Sequence, residues 1–242
     1  MRAQLALTRI DKLSQVVRSP KLLHALVSHG VLAGAEHRQV LTGDFLSVVD
    51  VGANKGQFAL AARRWAPRAR VISFEPLSRP AKIFREVFSR DPYVTLHQVA
   101  IGRESGQSAI HVSRKDDSSS LLPISELQEK LFPGTAERTT ELVRVEPLHD
   151  LVSSREVVAP ALLKLDVQGF EIAALQGCDR LLGRFDYVYA ECSFVELYSG
   201  QSLAHQVVEY LGDRGFRLKG VYNMTYDYVG VAVQGDFLFS RE

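Results

Sequence analysis

The chain has 242 residues, 46% of them hydrophobic and 24% charged, which places it in the globular range with enough apolar material for one large core. Its 29 Lys and Arg against 28 Asp and Glu leave a net charge of +1, so no long-range field draws it to nucleic acid or to an anionic membrane. Two cysteines, Cys178 and Cys192, cannot build a disulfide framework, no apolar run reaches the roughly 18 residues that span a bilayer, and the first thirty residues lack a signal-peptide core, so a cytoplasmic setting is expected.

In chain order, Leu13, Val16, Val17, Leu22, Leu23, Leu26 and Val27 recur at helical spacing, and Pro20 divides the stretch into two helices. The basic residues there read as a solvated face, and no chemistry is assigned to them. From Ser47 the pattern changes to short β-branched runs alternating with amphipathic stretches, the signature of βαβ units around a mostly parallel sheet. Strands are predicted at Ser47 to Val51, Arg70 to Glu75 and Val94 to Ile101, with helices at Gly56 to Trp65 and Ser78 to Arg90; Pro80 is tolerated in a first turn. Between Gly106 and Val145 the rhythm breaks into two strands, Ser108 to Val112 and Leu142 to Val145, around a polar segment from Ser113 to Thr140 that suits substrate contacts. A strand at Ala161 to Asp166, a helix at Phe170 to Leu182 and a strand at Tyr187 to Cys192 make a further βαβ unit. A helix from Leu203 to Arg214, a strand from Phe216 to Val221 and a final strand from Asp236 to Ser240 complete the chain.

Gly52 and Gly56 lie at a strand-to-helix turn, where a ligand can approach backbone without meeting a Cβ. The spacing is G-x-x-x-G, whereas the dinucleotide fingerprint is G-x-G-x-x-G. Asp50 beside the turn disfavours a pyrophosphate and favours a ligand carrying an ammonium and a sulfonium, which selects S-adenosylmethionine over NAD. Glu75 closes the second strand nineteen residues after Gly56 (75 minus 56), where Rossmann-like sites place an acid on ribose hydroxyls.

The motifs Val49-Asp50-Val51-Gly52-Ala53-Asn54-Lys55-Gly56, Phe74-Glu75-Pro76 and Leu163-Lys164-Leu165-Asp166-Val167-Gln168-Gly169-Phe170-Glu171 resemble the FkbM family of methyltransferases. Val99 to Gly102, Ser118 to Leu121 and Gly235 to Phe239 look like further landmarks, so the resemblance runs from about 45 to 242 and leaves residues 1–44 as a helical N-terminal cap. It implies an α/β, Rossmann-like class I fold, with a seven-stranded mostly parallel sheet, an antiparallel last strand and helices on both faces. It also implies an S-adenosylmethionine-dependent O-methyltransferase acting on a sugar, a glycolipid or another small-molecule natural product. The cofactor is then expected against Asp50, Gly52, Ala53, Asn54, Gly56, Glu75, Pro76, Ala100 and Asp166.

An alcohol acceptor must lose its proton, and the candidates are Asp166 and Glu191, each closing a predicted strand at the sheet's carboxyl edge, together with His149. Similar sugar methyltransferases hold a divalent cation such as Mg on acids at these two strand ends, which makes Asp166 and Glu191 candidate metal ligands. Lys164 reads as a structural partner, Glu171 as a helix cap, and His97 and His111 as strand histidines; Tyr198, Tyr222, Tyr226 and Tyr228 either stack on an acceptor or pack as core. An NAD-dependent oxidoreductase and a noncatalytic nucleoside-binding module remain as alternatives, and the oligomeric state stays open, a homodimer included.

Overall fold

The computed structural model describes residues 19–241 of the chain. The first half of the predicted N-terminal helical pair, Leu13 to Val17, lies outside the described residues. Pro20 opens the helix α1 (Pro20–His29), at the position where its missing N–H costs nothing. A 3₁₀ turn (Ala35–His37) and a short α2 (Arg38–Leu41) lead into β1 (Ser47–Val51). Then follow α3 (Gln57–Trp65), β2 (Arg70–Phe74), α4 (Ser78–Val87), β3 (Val94–His97) and β4 (Ala100–Ile101). The middle of the chain holds β5 (Gly106–Ser113), a 3₁₀ turn (Asp116–Ser118), α5 (Glu126–Leu131), β6 (Glu137–Glu146) and α6 (Leu148–Leu151). The rest is β7 (Ala161–Leu165), α7 (Glu171–Leu182), β8 (Tyr187–Ser193), α8 (Ala204–Gly212), β9 (Phe216–Tyr226) and β10 (Ala232–Arg241).

Seven strands form the main sheet in the order β3-β2-β1-β7-β8-β10-β9, with β10 antiparallel to both of its neighbours. The strand order reverses direction between β1 and β7, and open α/β sheets bind ligands at the carboxyl end of such a switch. The predicted third strand is two elements: β3 stays in the main sheet, whereas β4 joins the β5–β6 hairpin in a separate three-stranded sheet. The hairpin is therefore the insertion that the broken rhythm implied.

All five residues of β1 and of β7 are buried, as expected of parallel strands covered on both faces. Period-two alternation sorts their side chains. Val49, Val51, Leu163, Leu165, Val188 and Ala190 meet Ala174, Leu175 and Cys178 of α7 and Val207 and Leu211 of α8. Val48, Val71, Leu162 and Tyr189 face the other way, onto Phe58 and Leu60 of α3, Phe84 of α4 and Leu22, Ala25 and Leu41 of the N-terminal helices. The cap thus closes one face of the sheet's own core. Among the described residues, no helix is long and apolar enough to cross a membrane.

The second face turns polar toward the carboxyl edge. Two residues beyond Val48, Leu162 and Tyr187 come Asp50, Lys164 and Tyr189, which share one row of the sheet; two further come Gly52, Asp166 and Glu191. Asp236 on β10 pairs with Glu191, so it belongs to the same face.

Candidate active site

The turn after β1 is bound tightly to both neighbouring strands. Gly52 and Ala53 donate their N–H groups to the Phe74 carbonyl at 3.0 and 2.9 Å, and Asp166 donates its N–H to the Val51 carbonyl at 3.1 Å. Gly52 has φ +81°, and a Cβ there would lie 1.8 Å from the Asp166 carbonyl oxygen. Only glycine fits this position, for both reasons. Asn54 follows in the left-handed region at φ 47°.

Glu75 is almost fully buried beside that turn. Its Oε2 accepts from the Asn54 N–H at 2.9 Å and its Oε1 from the Leu77 N–H at 2.8 Å, which fixes the carboxylate and leaves lone pairs on both oxygens. Burial pushes its pKa up to about 7, against the lowering effect of the two amides. Asn54 Oδ1 and Gln57 Oε1 are buried acceptors without a hydrogen-bond partner among the described residues. Asn54, Gln57 and Glu75 all line one cavity of about 250 Å³, together with Gly52, Ala53, Pro76, Val99, Ala100 and Asp166.

The expected cofactor residues are therefore brought together, with two corrections. Asp50 is fully buried beneath the turn, where the Lys164 ammonium lies 3.0 Å from its Oδ1, and it does not line the cavity. It faces Lys164 within the sheet rather than a ligand, so Asp50 does not itself repel a pyrophosphate. Gly56 does not line the cavity either; at φ +96° it opens α3, and a Cβ would meet the Phe88 ring at 2.5 Å. Lys164 also lies 3.6 Å from Asp166 Oδ2 and donates to the Gly52 carbonyl at 2.9 Å. Burial would lower its pKa, but Asp50 and Asp166 outweigh it and hold the ammonium charged.

Asp166 and Glu191 do converge at the carboxyl edge, but an amide stands between them. Gln168 Nε2 donates to Asp166 Oδ1 at 2.7 Å and to Glu191 Oε2 at 2.8 Å, and Gln234 Nε2 donates to Glu191 Oε1 at 2.8 Å. Gln168 is itself held by its Oε1, which accepts from the Tyr198 hydroxyl at 2.7 Å, and by Ser120, whose hydroxyl donates to the Gln168 carbonyl at 2.6 Å. The two acids are joined through the Gln168 amide rather than open to a shared ion. Among the described residues no group of three or more His, Cys, Asp or Glu is placed to hold a metal. Glu191 is further pushed toward its neutral form by burial and by Asp166. It does not line the cavity, and its hydrogen bond to Gln168 connects it to the lining.

His149 is not brought to the cavity. It sits on the short α6, with Nε2 3.4 Å from Asp150, and Leu148 anchors that helix in the core. His97 stacks on Phe74 at 5.1 Å and His111 pairs with Glu137 at 2.7 Å, both as strand histidines. Glu171 caps the turn before α7 by accepting from the Gly169 N–H at 3.1 Å. Of the four tyrosines, Tyr198 is built into the Gln168 network, Tyr222 packs against the core, and Tyr226 and Tyr228 are exposed. From the polar segment, Ser119, Ser120 and Leu121 reach the cavity.

Sequence reasoning missed Glu36 and His37, which line the cavity from the 3₁₀ turn before β1, and Gln57, Gln168 and Phe58. An acid and a histidine side by side, two and three residues past Gly34, were the available signal, but nothing in their local pattern tied them to β8 or β10.

The methyltransferase FkbM domain pattern matches residues 50–218. The chain is 29% identical over 175 residues to the 2-O-methyltransferase NoeI of Sinorhizobium fredii, covering 68% of this chain and 70% of that protein. It is 27% identical over 146 residues to Methyltransferase 1 of Beauveria bassiana, covering 54% and 58%. The fold is similar to the crystal structure of methyltransferase FkbM from Methylobacillus flagellatus, with TM-score 0.51 and 16% identity over 80% of this chain. This chain spans 44% of that longer one. Cofactor-bound Rv0187 from MTB is similar over 92% of this chain and 89% of its own, with TM-score 0.51 and 16% identity. The matched stretch begins at the buried Asp50 and runs through the Gly52 turn, Glu75 and the Asp166–Gln168 loop into β9, so the chain belongs to the FkbM methyltransferase family.

Proposed function

We propose that this chain is an S-adenosylmethionine-dependent O-methyltransferase whose acceptor is a hydroxyl of a sugar, a glycolipid or another small-molecule natural product. The observation that carries the reading is the chemistry of the cavity wall. Glu75, the unpartnered Asn54 Oδ1 and Gln57 Oε1, and Asp166 all present acceptors to one space. Lys164 is the only lysine or arginine among the described lining residues, and Asp50 and Gly52 already hold it. Such a wall suits ribose hydroxyls, an ammonium and a sulfonium, and it offers a pyrophosphate no positive partner.

When bound, S-adenosylmethionine supplies a methyl group on a sulfonium, the electrophile for in-line displacement by an oxygen. On this reading Glu75 holds the ribose hydroxyls, Pro76, Val99 and Ala100 flank the base, and Gly52 lets the ligand lie against the backbone. Asp166, fixed by Gln168, accepts a hydrogen bond from the acceptor hydroxyl and orients it. That the relative from Sinorhizobium is a 2-O-methyltransferase supports oxygen as the methylated atom. Calorimetric titration with S-adenosylmethionine, S-adenosylhomocysteine and NAD tests the cofactor: the first two are expected to bind and NAD is not. Binding of NAD alone would instead support the oxidoreductase reading.

A further inference from the structure

His37 lies outside the matched family pattern, yet it is built into the same cavity. Its ring meets Phe58 and Tyr189 edge-on, with centroids 5.1 and 5.6 Å away. Gly34 lets the ring lie close to the backbone, because a Cβ there would stand 2.6 Å from His37 Cδ2.

The hydrogen bonds around the ring have a direction. The Tyr189 hydroxyl donates its proton to Asp236 Oδ2 at 2.9 Å, so toward His37 Nδ1, 3.1 Å away, its oxygen is the acceptor. Asn223 Nδ2 donates to the same Asp236 oxygen at 2.7 Å and holds the carboxylate in place. Nδ1 therefore carries the ring hydrogen, and Nε2 keeps its lone pair, with Glu36 Oε1 4.0 Å from it.

We propose that His37 is the base that removes the acceptor's hydroxyl proton, held in its Nδ1–H form by Tyr189 and Asp236. The inference rests on the reading of the cavity as a methyl-transfer site. As the acceptor oxygen bonds to the methyl carbon, the carbon–sulfur bond breaks and its electron pair stays on sulfur. The hydroxyl proton moves to His37 Nε2 and leaves to water with the product. The imidazolium so formed has Asp236 Oδ2 3.7 Å from Nδ1 and Glu36 on its other side. Asp166 is less suited to the task, because its two carboxylate oxygens already face the Lys164 ammonium and the Gln168 amide.

The groups that bear on the ring are Glu36 on its own turn, Asp236 on β10, Tyr189 on β8, Lys164 on β7 and Asp166 just after that strand. Burial lowers the pKa of His37 below its ordinary value and outweighs the raising effect of Asp236 and Glu36. The ring is thus neutral, as a base must be before it acts.

Two measurements test this. In ¹⁵N-histidine spectra of the full chain with S-adenosylhomocysteine, His37, assigned through His37→Gln, is expected as the neutral Nδ1–H tautomer near neutral pH, and Tyr189→Phe should erode that preference. An Nε2–H tautomer or an imidazolium there would overturn the proposal, and this arm needs no acceptor. In the second arm, methyl transfer from labelled S-adenosylmethionine is measured across a panel of neutral glycosides. His37→Gln should lower kcat by roughly 10²-fold or more and remove the acidic limb of the pH profile, with S-adenosylhomocysteine affinity retained. A variant that only loses thermal stability, with turnover and the acidic limb intact, would show a packing role and overturn the base. Failure of the wild-type chain to bind S-adenosylhomocysteine in calorimetry would overturn the cofactor reading instead, and so separates the two.

Discussion

The two ends of the cavity are assembled from different reaches of chain. The end with Gly52, Asn54, Glu75 and Ala100 is made by the turns after β1 and β2 and by the segment after β3, three successive pieces of one βαβ run. The other end draws His37 from before β1 and Gln168 from after β7, and behind them stand Glu191 on β8 and Gln234 and Asp236 on β10. In the first, backbone amides and a glycine fix the turn and the Glu75 carboxylate, and local geometry dictates the residue types. In the second, side chains are held by one another, and register across the sheet decides which of them meet. The first end should therefore fail through backbone clashes and lost ligand, and the second through lost turnover.

The largest effect is expected at the seam between the two ends. Gly52→Val would place its Cβ 1.8 Å from the Asp166 carbonyl oxygen and would strain a residue at φ +81°. S-adenosylhomocysteine binding should disappear in calorimetry, and normal affinity in a soluble variant would refute the turn geometry.

Next comes the ion pair below the seam. Lys164→Met leaves Asp50, fully buried, without its cation, and breaking such a pair typically costs about 3–5 kcal/mol. Urea unfolding should show that loss, and adding Asp50→Asn should recover most of it, because the two side chains act as a unit. Additive losses would mean that the pair is not coupled.

How much of this was legible follows the same division. β1, α3, β2 and β7 fall within a residue or so of the periodicity, because parallel strands buried on both faces read as unbroken apolar runs. Gly52 and Glu75 were readable because a strand-to-helix turn constrains its own residues. Gly56 shows the limit: the pattern located the glycine but could not say whether its missing side chain makes room for a ligand or for Phe88. Asp50 shows it again, since its charge matters only once Lys164 is known to sit opposite it in the next strand. His37 and Asp236 are nearly two hundred residues apart by position number, and only the packing of the cap against β8 and β10 brings them together.

A smaller effect, confined to turnover, is expected at the second end. Asp166→Asn keeps the shape of the side chain but removes the charge that Gln168 and Lys164 hold in place. Methyl transfer should fall roughly 10²-fold, the scale expected when a reacting group is misplaced by about an ångström, whereas cofactor affinity should change little. Combined with His37→Gln, the loss should be less than the product of the two, because both act on the same hydroxyl. A fully multiplicative loss would place them in separate steps.

The last and mildest prediction concerns Glu75, where cofactor affinity should depend on pH although no proton is transferred there. Its ordinary value of 4.5 is raised to about 7, chiefly by burial. Below pH 4.5 both folded and unfolded chains hold the proton, so the group does not alter stability. Between 4.5 and 7 the folded chain holds a proton that the unfolded chain has released, so the stability of the cofactor-free protein falls as pH rises through that window. Above it the charged carboxylate persists at a constant cost. On the proposed reading ribose hydroxyls donate to both oxygens and favour the charged form, so a bound nucleoside lowers the pKa and affinity climbs as pH rises toward about 7 and then levels off. Calorimetry with S-adenosylhomocysteine at about pH 6 and about pH 8 should show tighter binding at the higher value. Glu75→Ala should bind about 1–3 kcal/mol more weakly and lose the pH dependence at this site, because no carboxylate remains to release its proton. The variant also strands the Asn54 and Leu77 amides, so its thermal stability is read alongside to separate a weakened turn from a lost ligand contact. Equal wild-type affinity at both pH values, with the protein folded at each, would mean that the carboxylate of Glu75 does not meet the hydroxyls.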